Sequence, residues 1–333
     1  MPRFCFWFLA LTLAALVLPT SGSYAASQLR MDLQNKLGER LCRDQNPLEA
    51  RELWQLGVFD AQLQVAWIDA TDPIALPDLE DEARKKADIV QHHGFAFGLC
   101  TPLKAWVVSS HAPEPLFRIE GDSILLATSL MRDVCASYDL DAAEAEKGLP
   151  RSLQKKSVPL ATHLQINPAF LKAGTLSVTC HPPGRTIRGP ELWGLMPIGR
   201  WDYAQIPFFN AAKLKGSIGL KKWIEHLRAS HKLKPLQLDR PILTRFAQEL
   251  LQESSIRHPR ALLLNQASEL NKKKGKFLGE NRVKASSSSE MAWLLWHSPQ
   301  HRRLLLNKEA NALGLELSRL DLDELAVLVV ARL

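Results

Sequence analysis

The apolar pattern of the chain changes its period near Phe209, and this change divides the sequence into two kinds of structure. Between Pro113 and Pro207, short apolar runs alternate with turns dense in proline and glycine, as is typical of antiparallel strands. After Phe209, apolar residues recur at the spacing of one helix face. The first such set is Leu220, Trp223, Ile224 and Leu227. The sequence therefore predicts a β-rich region followed by a largely helical one, within an α+β protein.

Start and stop signals divide the part after Phe209 into successive helices. Asp239 is a candidate helix cap, with Pro241 in the first turn. A third helix is predicted to begin near Pro259 and to end at Lys272-Lys273-Lys274-Gly275. Three lysines in a last turn suit the negative end of the helix dipole, so they need no ligand to explain them.

A further helix, a short last helix and a hairpin are predicted to complete this region. Ser287 and Glu290 form a Ser-x-x-Glu capping box, and Ser298-Pro299 provides a second cap with a first-turn proline. The tail from residue 310 reads as two apolar strands. This order predicts an α+β or layered α-β-α unit over residues 208–333.

The preceding chain is predicted to form two smaller regions. Residues 26–112 are expected to be a small mixed α/β region, with helices over 28–57 and 79–93 and a hairpin made of GFAFGLC and KAWVVSSH. Residues 113–207 are expected to be a β-rich, sandwich-like domain, with 141–147 as a short exposed helix or loop.

Residues 1–25 have the pattern of a secretory signal peptide. Arg3 precedes an apolar run over 4–19, and Ser23 and Ala25 occupy the small-residue positions of a cleavage site. The alternative is a membrane anchor, but the run is shorter than the roughly 20 apolar residues of a spanning helix. We expect an exported protein, periplasmic or extracellular, without a transmembrane segment after cleavage.

Cysteine usage agrees with export. Cys5 lies in the predicted signal, and four cysteines follow it: Cys42, Cys100, Cys135 and Cys180. An even number in an exported chain predicts two disulfides, for which three connectivities are possible. Four buried thiols are the alternative.

Positive charge is concentrated in the last part of the chain. From residue 205 onward there are 22 Lys and Arg against 12 Asp and Glu, whereas the whole chain carries +7. Such a balance outside the cytosol favours anionic lipid or a cell-wall polymer as partner, or another envelope protein, and not nucleic acid. A solvated basic face without a partner explains the same count.

Three strings in the last region occur in a specific order. They are His258, Gly279-Glu280-Asn281 and Ser298-Pro299-Gln300-His301-Arg302, and the closing strands GLEL and LAVLVVA follow them. In this order the region resembles the CAP superfamily of cysteine-rich secretory, antigen 5 and pathogenesis-related 1 proteins, in its bacterial SCP-like branch. The resemblance covers about residues 208–333. The preceding strings ELWQLGVFD and PIGRW resemble an extension that some exported bacterial members carry.

The resemblance implies an αβα sandwich with a cleft. In secreted eukaryotic members, two histidines and two glutamates in the cleft can bind a divalent metal. His258 and Glu280 match the first pair, but Ser298 stands where the second glutamate falls, and the last strand has no histidine. A zinc site needs at least three protein ligands, and only His258, Glu280 and His301 are candidates, so we predict no cofactor.

The resemblance points to six cleft residues: His258, Glu280, Asn281, Ser298, His301 and Arg302. The first expectation is a non-enzymatic module that binds a lipid, a cell-wall component or a partner protein, with Glu280 accepting backbone amide hydrogen bonds. The alternative is a hydrolase, a protease or a wall-degrading enzyme, with Glu280 as general base beside a histidine. A third reading is a structural module whose basic face adheres to anionic polymers.

Overall fold

The structure is a computed structural model of the chain, and its class is mixed α and β, as predicted. It describes residues 37–43, 48–55, 57–61, 63–89, 94–110, 116–132, 135–145, 150–157, 163–167, 172–182, 191–199, 201, 214–238, 240–253, 259–320 and 323–333. The predicted signal peptide (1–25) and His258 lie outside these residues. No helix within the described ranges is long and apolar enough to span a membrane.

The first region is a three-stranded sheet with helices on both faces. Its elements are α1 (37–43), α2 (Ala50–Gln55), β1 (Gln64–Asp69), α3 (Leu76–Ile89), β2 (Gly94–Thr101) and β3 (Lys104–Ser110), with antiparallel strand order β1-β3-β2. Alternate residues of β3 face opposite sides: Trp106 and Val108 pack with α1 and α2, whereas Ala105 and Val107 pack with α3. The predicted hairpin of β2 and β3 is confirmed.

The predicted helix over residues 28–57 is wrong in its continuity. Leu48 and Glu49 are not helical, and α2 begins after them. The sequence signal was Pro47, because proline disfavours helical geometry in the residue before it and favours a new helix start. Similarly, α3 begins at Leu76 rather than at the predicted Leu79, and the predicted end of this helix at 90–93 falls outside the described residues.

The second region consists of two sheets that share one apolar core. The strands are β4 (Phe117–Glu120), β5 (Ser123–Leu126), β6 (Ser137–Glu144), β7 (Arg151–Ser157), β8 (Leu164–Ile166), β9 (Gly174–His181) and β10 (Glu191–Ile198). One sheet has the order β10-β9-β6-β7 and the other β4-β5-β8, and apolar residues of both enter one cluster. The two-sheet packing agrees with the sandwich-like expectation.

Strand β6 corrects the expectation of an exposed helix or loop at 141–147. It lies between β9 and β7, with Asp141, Ala142 and Ala143 buried. Ala142 packs into the core between the sheets, whereas Asp141 points to the opposite face, where the C-terminal region covers it. The acidic residues suggested a solvent-exposed segment. In the structure, however, the C-terminal region of the same chain buries one of them, Asp141.

The C-terminal region is a four-stranded sheet flanked by helices. Its elements are α4 (Gly216–Ser230), β11 (Gln237–Leu238), α5 (Pro241–Glu253), α6 (Pro259–Lys272), β12 (Lys276–Ala285), α7 (Ser288–His297), α8 (Pro299–Leu305), β13 (Ala312–Leu320) and β14 (Asp323–Arg332). The strand order is β11-β13-β14-β12, and the predicted closing hairpin is confirmed as β13 and β14.

Strand β14 shows how this sheet separates two helical layers. Ala326, Leu328 and Val330 pack with α4, α7 and α8, whereas Val327 and Val329 pack with α5 and α6. Because both faces of β14 are buried, its sequence is a continuous apolar run rather than an alternating one.

A buried arginine connects α4 to the segment that follows α8. Arg228 is 1% exposed, and its guanidinium donates to the carbonyls of Leu305 at 2.6 Å, Ala310 at 3.0 Å and Asn307 at 3.1 Å. Burial lowers the pKa of Arg228. The carbonyl of Leu305 is at the end of α8, and those of Asn307 and Ala310 lie in the segment that follows. Together they satisfy the buried charge, so Arg228 has a structural role.

The regions are joined by shared packing and contain two disulfides. Trp54 of α2 and Leu195 of β10 belong to the core of the C-terminal region. Cys42 pairs with Cys100, and Cys135 pairs with Cys180, with Cα–Cα distances of 5.0 and 5.4 Å. The expected two disulfides are confirmed, and the structure supplies the connectivity that the sequence left open.

Candidate functional site

Gly279, Glu280 and Asn281 lie in strand β12. A register shift between Phe277 and Gly279 interrupts the pairing with β14. A Cβ atom at Gly279 would lie 3.1 Å from Leu304 of α8, so glycine permits the close approach of this helix.

Glu280 forms an ion pair with its neighbour on the same face of β12. Nε of Arg282 donates to Oε2 of Glu280 at 3.4 Å, and the Glu280 side chain is 20% exposed. Burial raises the pKa of Glu280, and Arg282 acts in the opposite direction. The expected acceptance of backbone amides is therefore replaced by a side-chain partner.

Asn281 ties β12 to the first turn of α8. Its Nδ2 donates to the carbonyl of His301 at 3.2 Å, and the residue is 3% exposed. Asn281 pairs with Leu328, which packs with α7 and α8, whereas Glu280 pairs with Val329, which packs with α5 and α6. Directly paired residues share a sheet face. Glu280 thus faces the α5–α6 layer, and α8 with His301 lies on the other side.

His301 is held neutral by burial. Desolvation lowers its pKa to about 4, and its ring hydrogen-bonds the carbonyl of Leu294 in α7. Only an N–H can donate to a carbonyl, so this bond fixes one ring nitrogen as the donor. The Nδ1 atom of His301 is buried and has no hydrogen-bond partner among the described residues.

Arg302 connects α8 to α7 and to strand β6. Its Nε donates to the carbonyl of Trp296 at 2.6 Å, and its Nη1 donates to the carbonyl of Glu144. The guanidinium carbon lies 3.7 Å from the centre of the Trp296 ring, in cation–π geometry. Burial lowers the pKa of Arg302 to about 9. Through these contacts, Arg302 holds the C-terminal region and the β-rich region together.

The neighbouring residues of α8 dock on Asp141 of β6. Gln300 donates to Oδ2 at 3.0 Å, and Nη2 of Arg303 lies 2.6 Å from Oδ1 of this fully buried carboxylate. No local pattern in the sequence predicts the pair of Arg303 and Asp141, because the two residues are 162 positions apart. Gln300 and Arg302 of the Ser-Pro-x-His-Arg string, with the adjacent Arg303, therefore hold α8 against strand β6.

The junction between α7 and α8 is buried and aromatic. Ser298 begins α8 without a side-chain capping bond, and its Oγ has no hydrogen-bond partner within the described ranges. The preceding His297 is fully buried beside the rings of Trp293, Trp201 and Trp54, at centroid distances of 4.4, 5.1 and 5.7 Å. Sequence reasoning missed His297. The only signal was the Trp-rich segment before it.

The predicted capping box at the start of α7 is half confirmed. Ser287 Oγ accepts from the Glu290 amide at 3.2 Å. The Glu290 carboxylate, instead of returning to Ser287, accepts from the amide of Ser286 at 2.9 Å and from that of Ala50 in α2 at 2.7 Å. Burial is the largest influence on Glu290 and raises its pKa.

A metal site would need several ligands in one place. Within the part of the chain that the structure describes, no group of three or more His, Cys, Asp and Glu residues could hold a metal ion. The sequence match of His258 with Glu280 is untested, because His258 is outside that part. The described chemistry consists of a carboxylate paired with Arg282 and a neutral imidazole on the other side of the sheet.

Comparisons with known proteins give structural matches only. No protein-family profile matches the chain, and no curated protein sequence matches it. The solved structures that match include bacterial proteins described as a cysteine-rich secretory protein, a CAP domain and an SCP-domain protein. The predicted resemblance is confirmed as a resemblance.

Three of these structures illustrate the level of likeness. A cysteine-rich secretory protein from Staphylococcus aureus subsp. aureus Mu50 is 12% identical, with 69% of this chain and 82% of that chain covered and a TM-score of 0.29. An extracellular protein containing an SCP domain from Bacillus anthracis str. Ames is 13% identical, with 64% and 66% covered and a TM-score of 0.26.

The third structure is an outer surface protein from Borrelia burgdorferi. It is 18% identical, with 34% of this chain and 89% of that chain covered and a TM-score of 0.27. At such TM-scores the matches support no conclusion about the site or the function of this chain. Such conclusions rest on its own residues.

Proposed function

We propose that this chain is an exported CAP-like protein whose C-terminal region, an αβα sandwich, is a non-enzymatic binding module. Its ligand class is a lipid, a cell-wall component or a partner protein of the envelope. The other regions are a built-in extension of that module, because they contribute residues to its core and cover α8.

The proposal rests on the observation that the predicted cleft residues form hydrogen bonds between helices and strands of the protein. Asn281 and Arg302 donate to backbone carbonyls of other elements, and His301 bonds to α7. A catalytic group needs a polar atom that reaches a substrate. Residues that hold α7, α8, β6 and β12 together in this way support a scaffold better than a reaction centre.

The two disulfides favour export, since such bonds persist in oxidising compartments. They agree with the signal-peptide pattern of residues 1–25. Periplasmic and extracellular locations fit this argument equally well.

A hydrolase is the second candidate, and one observation favours it. Burial raises the pKa of Glu280, and a carboxylate with a raised pKa is a better general base near neutral pH. His258, the residue that the family resemblance pairs with Glu280, directly precedes α6, and Glu280 faces the α5–α6 layer.

The test is identification of whatever small molecule accompanies the protein. The mature chain is purified from its native host without detergent and denatured, and the released molecules are analysed by mass spectrometry. A protein of similar size and charge from the same host, purified in parallel, is the control. A compound enriched with this chain in stoichiometric amount supports the binding module. A cleaved peptide or glycan that accumulates only in the presence of the folded protein would indicate a hydrolase and would contradict the binding module.

A further inference from the structure

A cavity lies where the three regions meet. Its volume is about 280 Å³, close to the lower limit of small-molecule sites in proteins. The walls come from α2, from the segment that leads into β1, from Leu195 of β10 and from the β12–α7 junction. None of the five described cleft candidates, Glu280, Asn281, Ser298, His301 and Arg302, is among its lining residues.

The cavity surface is nearly half polar, and its apolar part is formed by large side chains. The principal apolar lining residues are Leu53, Trp54, Phe59, Leu63, Trp67 and Leu294. Phe59, Leu63, Trp67 and Leu294 are only partly buried in the protein, so their remaining apolar surface is available to an occupant. Each Å² of apolar surface removed from water contributes about 25 cal/mol, so an apolar occupant would bind favourably.

The polar groups of the lining are unequally distributed. Gln64 and Lys284 are exposed, as is Ala61, and these residues place the mouth of the cavity at the protein surface. Glu290 is deeper and 8% exposed. Its carboxylate already accepts from Ala50, from the amide of Ser286 and from Oγ of Ser286 at 2.8 Å. Glu290 therefore fixes the walls to one another and is not a free recognition group.

The walls are also held rigidly. Trp54 packs edge-on against Trp293 at 4.5 Å, and the Ala50–Glu290 hydrogen bond joins α2 to α7. A cavity whose walls are fixed before binding loses little conformational entropy when it is filled.

We infer that this junction cavity binds a small single-chain amphiphile, whose apolar tail lies between Trp54, Phe59 and Trp67 and whose polar end lies at the mouth beside Gln64. A fully polar ligand would leave its hydrogen-bonding groups unsatisfied against the apolar wall. The inference rests on the proposed binding function and narrows it to one ligand class and one place.

The test uses decanoate, decanol and decyltrimethylammonium, which share one tail and differ in the head group. Binding to the mature protein is measured by isothermal titration calorimetry below the micelle-forming concentration. We expect saturable binding of at least one of the three, at one molecule per chain. Ala61→Trp, which places a large side chain at the mouth, should weaken this binding about tenfold or more.

The matched control is Ala229→Trp, at an exposed position of α4 that does not line the cavity. It should bind as the wild type does, and circular dichroism should show that both variants are folded. Equal binding by wild type and Ala61→Trp overturns the inference, as does the absence of binding by all three amphiphiles.

Native-source protein separates this inference from the proposed function. A co-purified small molecule retained equally by Ala61→Trp means that the binding module exists but uses another site. If wild-type protein carries no small molecule and binds none of the amphiphiles, the inference fails. The proposed function fails as well only if no cell-wall component or partner protein co-purifies with the chain.

Discussion

The guanidinium of Arg303 in α8 lies 2.6 Å from the carboxylate of Asp141 in β6, although the two residues are 162 positions apart in the sequence. Asp141 is fully buried, whereas the Arg303 side chain is 46% exposed. The pair is thus a surface cation placed over a buried anion, and it closes the interface between the β-rich region and the C-terminal sheet.

Removing one member of this pair should loosen the interface. Asp141→Ala leaves Arg303 able to turn to solvent but deprives Gln300 of its acceptor. We expect a loss of about 2–3 kcal/mol in the free energy of unfolding, since hydrogen bonds to buried charges contribute about 1.5–3 kcal/mol. Urea denaturation measures it.

The control for Asp141→Ala is Glu269→Ala, which breaks the exposed pair with Arg245. Exposed pairs contribute about 0–1 kcal/mol. Equal effects of the two substitutions would mean that the Asp141 contact does not stabilise the protein.

The disulfides should leave no free thiol in the mature chain. Titration with a thiol reagent in denaturant, without reductant, should find none, because the four described cysteines are paired. Finding four reactive thiols contradicts the pairing. Each bridge should contribute about 2–4 kcal/mol. Reduction should accelerate hydrogen exchange first around β2 and β9, the strands that contain Cys100 and Cys180.

His301 should make the protein less stable as the pH falls. Its pKa is about 4 in the folded protein and 6.5 in the unfolded chain, so between these values only the unfolded chain takes up the proton. The stabilisation is complete above pH 6.5 and decreases as pH falls towards 4, by about 3 kcal/mol in total.

The comparison that isolates His301 is between wild type and His301→Gln, which keeps a donor for the Leu294 carbonyl but does not titrate. The raised pKa values of Glu280 and Glu290 act on stability in the opposite direction, and they are common to both proteins. The difference in unfolding free energy should therefore change with pH between 4 and 6.5. A constant difference would show that His301 is not protected from protonation.

Glu280→Gln distinguishes the two candidate functions. In the binding module, the substitution removes the ion pair with Arg282 but also a carboxylate whose charged form is disfavoured by burial, so stability should change by less than about 2 kcal/mol while ligand binding persists. In a hydrolase, turnover should fall by orders of magnitude with little change in melting temperature. The second pattern would contradict the proposal. The control is Lys276→Gln, at the start of β12 and outside the cavity lining.

The basic C-terminal region should bind anionic surfaces if its lysines share a face. Some are paired in the structure, as Lys276 is with Glu309 at 3.1 Å and Lys273 with Glu269 at 3.8 Å. Each further cation near an anionic membrane contributes about 1 kcal/mol, and salt screens this attraction. Sedimentation with phosphatidylglycerol vesicles at low salt should exceed that with phosphatidylcholine vesicles. Equal sedimentation with the two kinds of vesicle would indicate that the positive charge of this region only keeps the protein soluble.

The sequence predicted best those elements whose neighbours are apolar on a regular period. The face of α4 and the closing hairpin followed from periodicity. The disulfide count followed from the even number of cysteines, whereas their pairing required the fold.

Among the strands that the sequence did not indicate, β6 and β12 were missed because tertiary contacts decide their environment. In β6, the carboxylate of Asp141 is buried because Arg303 and Gln300 cover it. Strand β12 lies at the sheet edge, where Glu280, Arg282 and Lys284 alternate with the buried Asn281, Val283 and Ala285. Charged residues are common on edge strands. The Gly-Glu-Asn string was interpreted as a family motif, and the alternation that indicates a strand was therefore missed.

The hydrogen bond from Ala50 to Glu290 has a consequence for how the chain folds. It joins residues 240 positions apart, and Trp54 packs beside it on Trp293. A chain that emerges from its N-terminus must keep the Trp54 surface uncovered until nearly all of its length is available. Contacts of such long range slow folding and leave apolar surface open to association in the meantime. A chain truncated before α7 should therefore aggregate rather than yield a folded N-terminal fragment.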